Sequence, residues 1–274
     1  MPESTWEEVL RGGDLTGALV LVKERIRANP NDGELRLVLV HLAALKGDWD
    51  SALKQIKVYG DLSSDEQRQL LVMMVTSLIE SEEQRRAVLA GEQEPVIFAD
   101  PLPWAGDLIQ MHRHLRAGEY AAASRCRERV AEVAGPVPGN IDGHRFQWLG
   151  DTDWRFCAVF EAVIGGCYYW LPVQRILHIT LAAPRGLRDL IWQPVNFRFI
   201  NGGESPGFIP ARYPGSEKSG NPDLILSRGT VWDEVAPGIV LAKGQRVFTD
   251  GDNDYSILDV RRIEFEPPEV EPSA

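Results

Sequence analysis

Cysteine is scarce: the 274-residue chain has three, Cys126, Cys157 and Cys167. An odd number without CxxC spacing argues against a disulfide framework or a zinc module and reads as ordinary reduced thiols. Long apolar runs are missing too. One of the longest, residues 69–79, falls far short of the roughly 20 residues a membrane-spanning helix needs, and Thr76 and Ser77 interrupt it; no membrane association is expected. The opening Met1-Pro2-Glu3-Ser4-Thr5-Trp6-Glu7-Glu8 is acidic and lacks the basic-then-apolar pattern of a secretory signal, so a cytoplasmic location is expected. Basic runs are absent as well, and 29 Lys and Arg against 40 Asp and Glu leave a formal charge of −11. That balance repels phosphate backbones and argues against a nucleic-acid partner.

The usual signatures of catalysis are also lacking. Neither GxGxxG nor GxxxxGK[ST] occurs, so no glycine-rich loop is available to converge its amides on a phosphate. The five histidines, His41, His112, His114, His144 and His178, form no HExxH pair and no Cys/His cluster. His112 and His114 lie two apart on an expected helix and point to different faces. Asp250-Gly251-Asp252-Asn253-Asp254 begins like a calcium loop, but Tyr255 replaces the sixth-position glycine and Arg261 the twelfth-position glutamate; it reads as a hairpin turn. Ser205 sits in no GxSxG elbow, and Pro206 removes an amide that an oxyanion hole would use. Glu161, Asp189 and Glu204 remain as carboxylates for acid–base chemistry if the fold brings two together. No cofactor and no metal are expected.

What is present divides near residue 136. Up to there apolar residues recur at helical spacing, as in Leu15, Leu19, Val22, Ile26 and in Leu35, Val38, Leu39, Leu42, Leu45. Ser4 with Glu7 and Ser63 with Glu66 have the S-x-x-E spacing of a capping box. Gly13-Asp14-Leu15 recurs 34 positions on as Gly47-Asp48-Trp49, and Ala18-Leu19 as Ala52-Leu53. Thirty-four is the tetratricopeptide period, with Pro30 in the stop position after the first second-helix. A plain helical bundle is the alternative. Gly118-Glu119-Tyr120-Ala121-Ala122 starts a further hairpin, with helices near residues 108–117 and 120–133. Between the hairpins, the prolines of residues 95–104 predict a crossover loop with Phe98 and Trp104 packed.

After Pro136 the sequence turns to short aromatic and β-branched runs between Gly, Pro, Asn and Asp. Ile179 and Leu181 alternate with His178 and Thr180, and Val195, Phe197 and Phe199 with Asn196 and Arg198; these are strand patterns. Asn201-Gly202-Gly203, Pro214-Gly215 and Asp250-Gly251 are turn signals suited to an antiparallel sheet or small barrel. Phe156, Val159, Phe160 and Val163 fit one helix, stopped by Gly165-Gly166. The fold class is therefore α+β: a helical part at 1–135 with tetratricopeptide-like hairpins, a β-rich, mainly antiparallel part at 136–266, and a disordered tail at 267–274. Protein-binding candidates are Leu35, Leu39 and Leu42, lining a helical groove or packing between helices. In the β-rich part they are Trp170, within Tyr168-Tyr169-Trp170-Leu171-Pro172, and Arg212 with Tyr213, on a loop made by Pro214-Gly215 that is either exposed or a structural turn. Trp148 and Trp154 add further aromatic surface.

The order of these motifs, together with Leu187-Arg188-Asp189-Leu190-Ile191-Trp192 and Gly207-Phe208-Ile209-Pro210-Ala211-Arg212-Tyr213-Pro214-Gly215-Ser216-Glu217, resembles the ImpE/TagJ (SciE) family over nearly the whole chain. The chain departs from the family at Cys157-Ala158, where the family has Gly-Pro. The resemblance implies a cytoplasmic accessory protein of the bacterial type VI secretion machine. It would bind the small subunit of the contractile sheath, with a link to the AAA+ ATPase that recycles the sheath, and have no cofactor and no enzymatic activity. It implies no particular binding residues. The rival readings are a carboxylate-dependent hydrolase in the β-rich part and a scaffold that self-associates through its helices.

Overall fold

Six helices fill the described segment up to Arg116 and a seventh carries the chain to the β-rich part, in a computed structural model that describes residues 5–98 and 102–267. They are α1 (Trp6–Arg11), α2 (Leu15–Ala28), α3 (Gly33–Leu45), α4 (Trp49–Asp61), α5 (Glu66–Leu89), α6 (Ala105–Arg116) and α7 (Tyr120–Ala134). Three tight turns are built alike. Gly13, Gly47 and Gly118 all lie at positive φ; each glycine N–H donates three residues back, and the next N–H donates five back, to Val9, Ala43 and His114 respectively. This arrangement closes a helix C-terminus and favours glycine because an L side chain is strained there. Asp14 and Asp48 then cap the following helices, and Ala18, Ala52 and Ala123, each fully buried, let the paired helices approach.

Two caps differ from the sequence expectation. The first capping box is formed by Thr5 and Glu8, one residue beyond the Ser4–Glu7 pair, of which Ser4 lies outside the described residues. At α5 the cap is Asp65, accepting from the Arg68 amide, while Ser63 accepts from the Asp65 amide and Glu66 is simply the first helical residue. A carboxylate next to the helix start satisfies the free amide at shorter reach and complements the helix dipole.

The β-rich part contains β1 (Gly139–Ile141), β2 (His144–Phe146), β3 (Gly150–Asp151), β4 (Val159–Ile164), β5 (Cys167–Pro172), β6 (Ile176–Leu181), β7 (Trp192–Phe199), β8 (Glu204–Pro210), the short helix α8 (Pro222–Ile225), β9 (Thr230–Ala236), β10 (Ile239–Gly244), β11 (Val247–Thr249), β12 (Asp254–Ser256) and β13 (Arg262–Phe265). An eight-stranded sheet runs β2-β1-β13-β6-β7-β8-β4-β5, with β12-β11-β3 and β10-β9 as smaller sheets. Every pairing between these strands is antiparallel, so the α+β class holds. Residues 96–98 lie along β5: Phe98 N–H donates to Trp170 O at 2.9 Å and Trp170 N–H to Val96 O at 2.9 Å. Phe98 stacks on Phe199 at 4.5 Å and Trp104 is buried, as expected for the crossover loop, whose residues 99–101 lie outside the described set.

The helix expected around Phe156–Val163 is instead strand β4. Val159, Phe160, Glu161, Ala162 and Val163 are all buried. A strand covered on both faces shows no apolar–polar alternation, and its apolar residues then match a helical period by coincidence. Gly165 and Gly166, both at positive φ, form the two-residue turn from β4 into β5 and do not end a helix. Val159, Val163, Tyr168 and Trp170 pack into one core with the helices, whereas Phe160, Ala162 and Leu171 join a second core with Phe197, Ile209, Phe248, Ile263 and Phe265. The sheet thus presents one face to the helices. Of the expected tail, residues 268–274 lie outside the described residues.

Candidate functional site

Charge is buried where the helices meet that face. Glu161 on β4 is fully buried and receives Arg85 of α5 through Nε at 2.7 Å and Nη2 at 3.0 Å, Arg246 through Nη2, and the Tyr168 hydroxyl at 2.5 Å. Trp170 Nε1 donates to the Tyr168 oxygen at 2.9 Å. Burial opposes ionisation of Glu161, but Arg85 and Arg246 outweigh it and hold the carboxyl down at about 2. Arg246 also pairs with Asp151, which accepts from the Tyr213 hydroxyl at 2.7 Å and the Asp153 amide at 2.8 Å. For Asp151 burial prevails, aided by nearby Asp153 and against the pull of Arg246, and pushes its carboxyl up to about 6. The chain of contacts continues outward: Thr152 Oγ1 lies 3.0 Å from the Tyr213 hydroxyl and accepts from Trp232 Nε1 at 3.0 Å.

Trp232 stands on the wall of a groove of about 720 Å³ between α7 and the β-rich part. Arg127, Ala131 and Ala134 of α7 form one side; Trp148, Thr152 and Trp232 form the other; Cys157, Ala158 and Val173 lie in it, and Asp254 stands at the rim. Trp148 and Trp232 keep 43% and 45% of their surface exposed. Trp148 has backbone beneath it, because a side chain on Gly150 or Gly251 would meet its ring at about 3 Å. Two tryptophans over an apolar floor form a surface suited to a protein segment, in which large rigid aromatics supply contact area at low entropic cost.

This architecture recurs in solved form. A crystal structure of a Vibrio parahaemolyticus protein superposes with a TM-score of 0.84 over 95% of this chain and 97% of that one, at 22% identity. The family model described as ImpE protein matches residues 143–264. A Pseudomonas aeruginosa protein named "Type VI secretion system accessory component TagJ" is 35% identical over 96% of this chain and 92% of its own length. The chain belongs to the ImpE/TagJ family.

Within this family member the expected binding residues take other places. Arg212 and Tyr213 are buried, which agrees with the structural-turn alternative and overturns the exposed one. Arg212 Nη1 donates to Leu45 O and Ile225 O at 2.8 Å each, and Nη2 to Ala44 O at 3.3 Å, so it caps the C-terminus of α3. Burial lowers its guanidinium to about 10. Tyr213 and Trp170 belong to the polar chain behind the groove. On α3, Leu39 and Leu42 are buried and Leu35 is half-buried. From the neighbouring face of the same helix, Glu34, Leu37, Val38 and His41 help to line a second, smaller groove of about 420 Å³, together with Trp6, Leu71 and residues 185–189.

The three carboxylates weighed for catalysis are each engaged separately. Glu161 is held by two arginines and a tyrosine as above; Asp189 accepts from Arg188 Nη2 at 2.8 Å and the Arg185 amide at 2.8 Å; Glu204 is exposed on β8, 3.8 Å from Arg198. Among the described residues no group of three or more His, Cys, Asp or Glu is arranged to hold a metal ion. Asp250 closes the β11–β12 turn by accepting from the amides of Asp252 and Asn253 and the Tyr255 hydroxyl. No described helix is long and apolar enough to cross a membrane.

Proposed function

We propose that this chain is a non-enzymatic, cytoplasmic adaptor of the bacterial type VI secretion machine. It takes a segment of the small contractile-sheath subunit in the groove between α7 and the β-rich part. The observation that carries the reading is that groove, about 720 Å³ in volume and walled by the exposed Trp148 and Trp232. The accessory role comes from the named relative, and the separate engagement of Glu161, Asp189 and Glu204 supports a binding rather than a catalytic part. The repeated Gly-Asp turns and buried alanines support a tetratricopeptide-like reading of residues 1–135, a scaffold that presents α7 to the groove while residues 136–266 supply its aromatic wall. A link between the held subunit and the sheath-recycling ATPase is part of the proposal and rests on the family resemblance, not on the groove. Calorimetric titration of the purified small sheath subunit into the chain tests this: micromolar binding is expected, weakened at least tenfold by Ala131→Trp, which puts a bulky ring into the groove from α7. No heat at tens of micromolar would overturn it.

A second reading, self-association through the helices, draws on Leu70 and Met73, exposed by 58% and 68% one turn apart on α5. Light scattering showing a monomer from 1 to about 100 micromolar would remove it.

A further inference from the structure

The β9–β10 hairpin leaves one strand edge open. Among the described residues β9 pairs with β10 alone. The far side of β10 is occupied: Trp154 N–H donates to Val240 O at 2.9 Å, and the Ala242 amide donates to Asp153 Oδ2 at 2.8 Å. The far side of β9 has no such backbone partner among the described residues, and all of Val231, Trp232, Asp233, Glu234 and Val235 are exposed. Natural edges are commonly blunted by lysine, proline, other charges or bulges; β9 carries no lysine or proline, and what guards it against its own kind are Asp233, Glu234 and the bulge at Val235, where the register skips from Ala236 to Glu234. Thr230–Glu234 is therefore a regular, solvent-facing edge bearing Val231, Trp232 and two carboxylates, opposed by one cation, Lys243, on Asp233 at 2.9 Å.

We propose that this edge binds an extended, cationic segment of a partner protein by strand addition. The side-chain order specifies the occupant. Val231 and Asp233 share one face of the strand, Trp232 and Glu234 the other. An antiparallel segment therefore presents two basic residues opposite Glu234 and Asp233, followed by two apolar residues opposite Trp232 and Val231. Backbone bonds supply binding and the cross-strand pairs supply selection. A second copy of this chain fits poorly, because self-pairing gathers four carboxylates into one ladder between two molecules that each carry a charge of −11. The edge adjoins the groove through Trp232, but the inference stands apart from the groove assignment.

The test is amide hydrogen exchange on the full chain with an acetylated, amidated peptide of sequence Ser-Lys-Lys-Val-Val-Thr-Ser at millimolar concentration. At least tenfold slower exchange is expected across Val231–Glu234, with the eight-stranded sheet unchanged. The protection should be lost with Val231→Lys/Val235→Lys, lost when the two peptide lysines are glutamates, and kept in the groove variant Ala131→Trp. Unchanged exchange, equal protection by the glutamate peptide, or protection that rises with protein concentration in the absence of peptide would each overturn the proposal, the last by showing that a second copy covers the edge.

Discussion

Mild acid should loosen this protein, and His112 is a principal reason. Its ring is buried against Trp170, with centroids 4.7 Å apart, and Nε2 lies 3.0 Å from the Arg155 carbonyl oxygen. A carbonyl only accepts, so the neutral ring carries its proton on Nε2. Burial is the main cause that lowers its pKa from 6.5 to about 4, and His41, half-buried at the smaller groove beside Arg188, is lowered likewise to about 4, desolvation again the largest cause. The unfolded chain takes up these protons below pH 6.5 while the folded chain refuses them until about pH 4. The stability each neutral histidine contributes is complete above pH 6.5 and is lost as pH falls toward 4. By linkage each costs roughly 2 kcal/mol between pH 7 and 5. Asp151 opposes them, since its carboxyl, raised to about 6, is easier to bury protonated; it returns about 1 kcal/mol over the same range. The net loss is about 2–3 kcal/mol. Urea unfolding followed by tryptophan fluorescence at pH 7, 6 and 5 measures it for the native chain and for His112→Gln, which keeps an amide donor for the Arg155 carbonyl. Whatever its stability at pH 7, the variant should lose about 2 kcal/mol less on acidification. Parallel pH profiles for the two proteins would refute the reasoning.

Further predictions follow from the buried contacts. Glu161→Gln leaves Arg85 and Arg246 buried with too little negative charge and should cost about 3–5 kcal/mol in urea unfolding; a change under 1 kcal/mol would mean that water reaches the cluster. Arg212→Met removes the cap from α3 and should cost about 2–4 kcal/mol while leaving the calorimetric affinity for the sheath subunit unchanged, whereas a surface role would give the reverse. Gly118→Ala, at φ +72 with open space around it, should cost about 1 kcal/mol. Gly47→Ala should cost more, because its new methyl would stand 2.5 Å from Glu217 Cγ.

Local pattern carried the helices and most strands into view. The three turn glycines, the buried alanines and the alternation in Ile179–Leu181 and Val195–Phe199 are short-range signals, and short-range contacts decide those elements. Where burial depended on distant chain, local pattern misled. β4 looked helical because α5 covers one of its faces and the second core the other. Pro214-Gly215 marked a turn correctly, but no local signal shows that α3 and α5 lie against it, placing Arg212 on the Ala44 and Leu45 carbonyls. Leu35, Leu39 and Leu42 mark the core-facing stripe of α3, whereas Leu37, Val38 and His41 on the adjacent face line the smaller groove and none of the six borders the groove beside α7. Trp148 and Trp154 were both read as aromatic surface, but only Trp148 is exposed while Trp154 is buried; Trp232 was missed, since Val-Trp-Asp-Glu-Val lacks the one-sided polarity by which a half-buried strand is recognised. The groove joins residues more than 100 positions apart, from Arg127 to Asp254, and pairing across such distance leaves no trace in a single sequence.

The groove beside α7 is the proposed seat of the partner, and one calorimetric comparison reaches it directly: the purified small sheath subunit titrated into the native chain and into Ala131→Trp. A single saturable site at micromolar concentration, at least tenfold weaker when the groove is obstructed, is the predicted result. Equal affinity for the two proteins would contradict the placement of the partner in the groove.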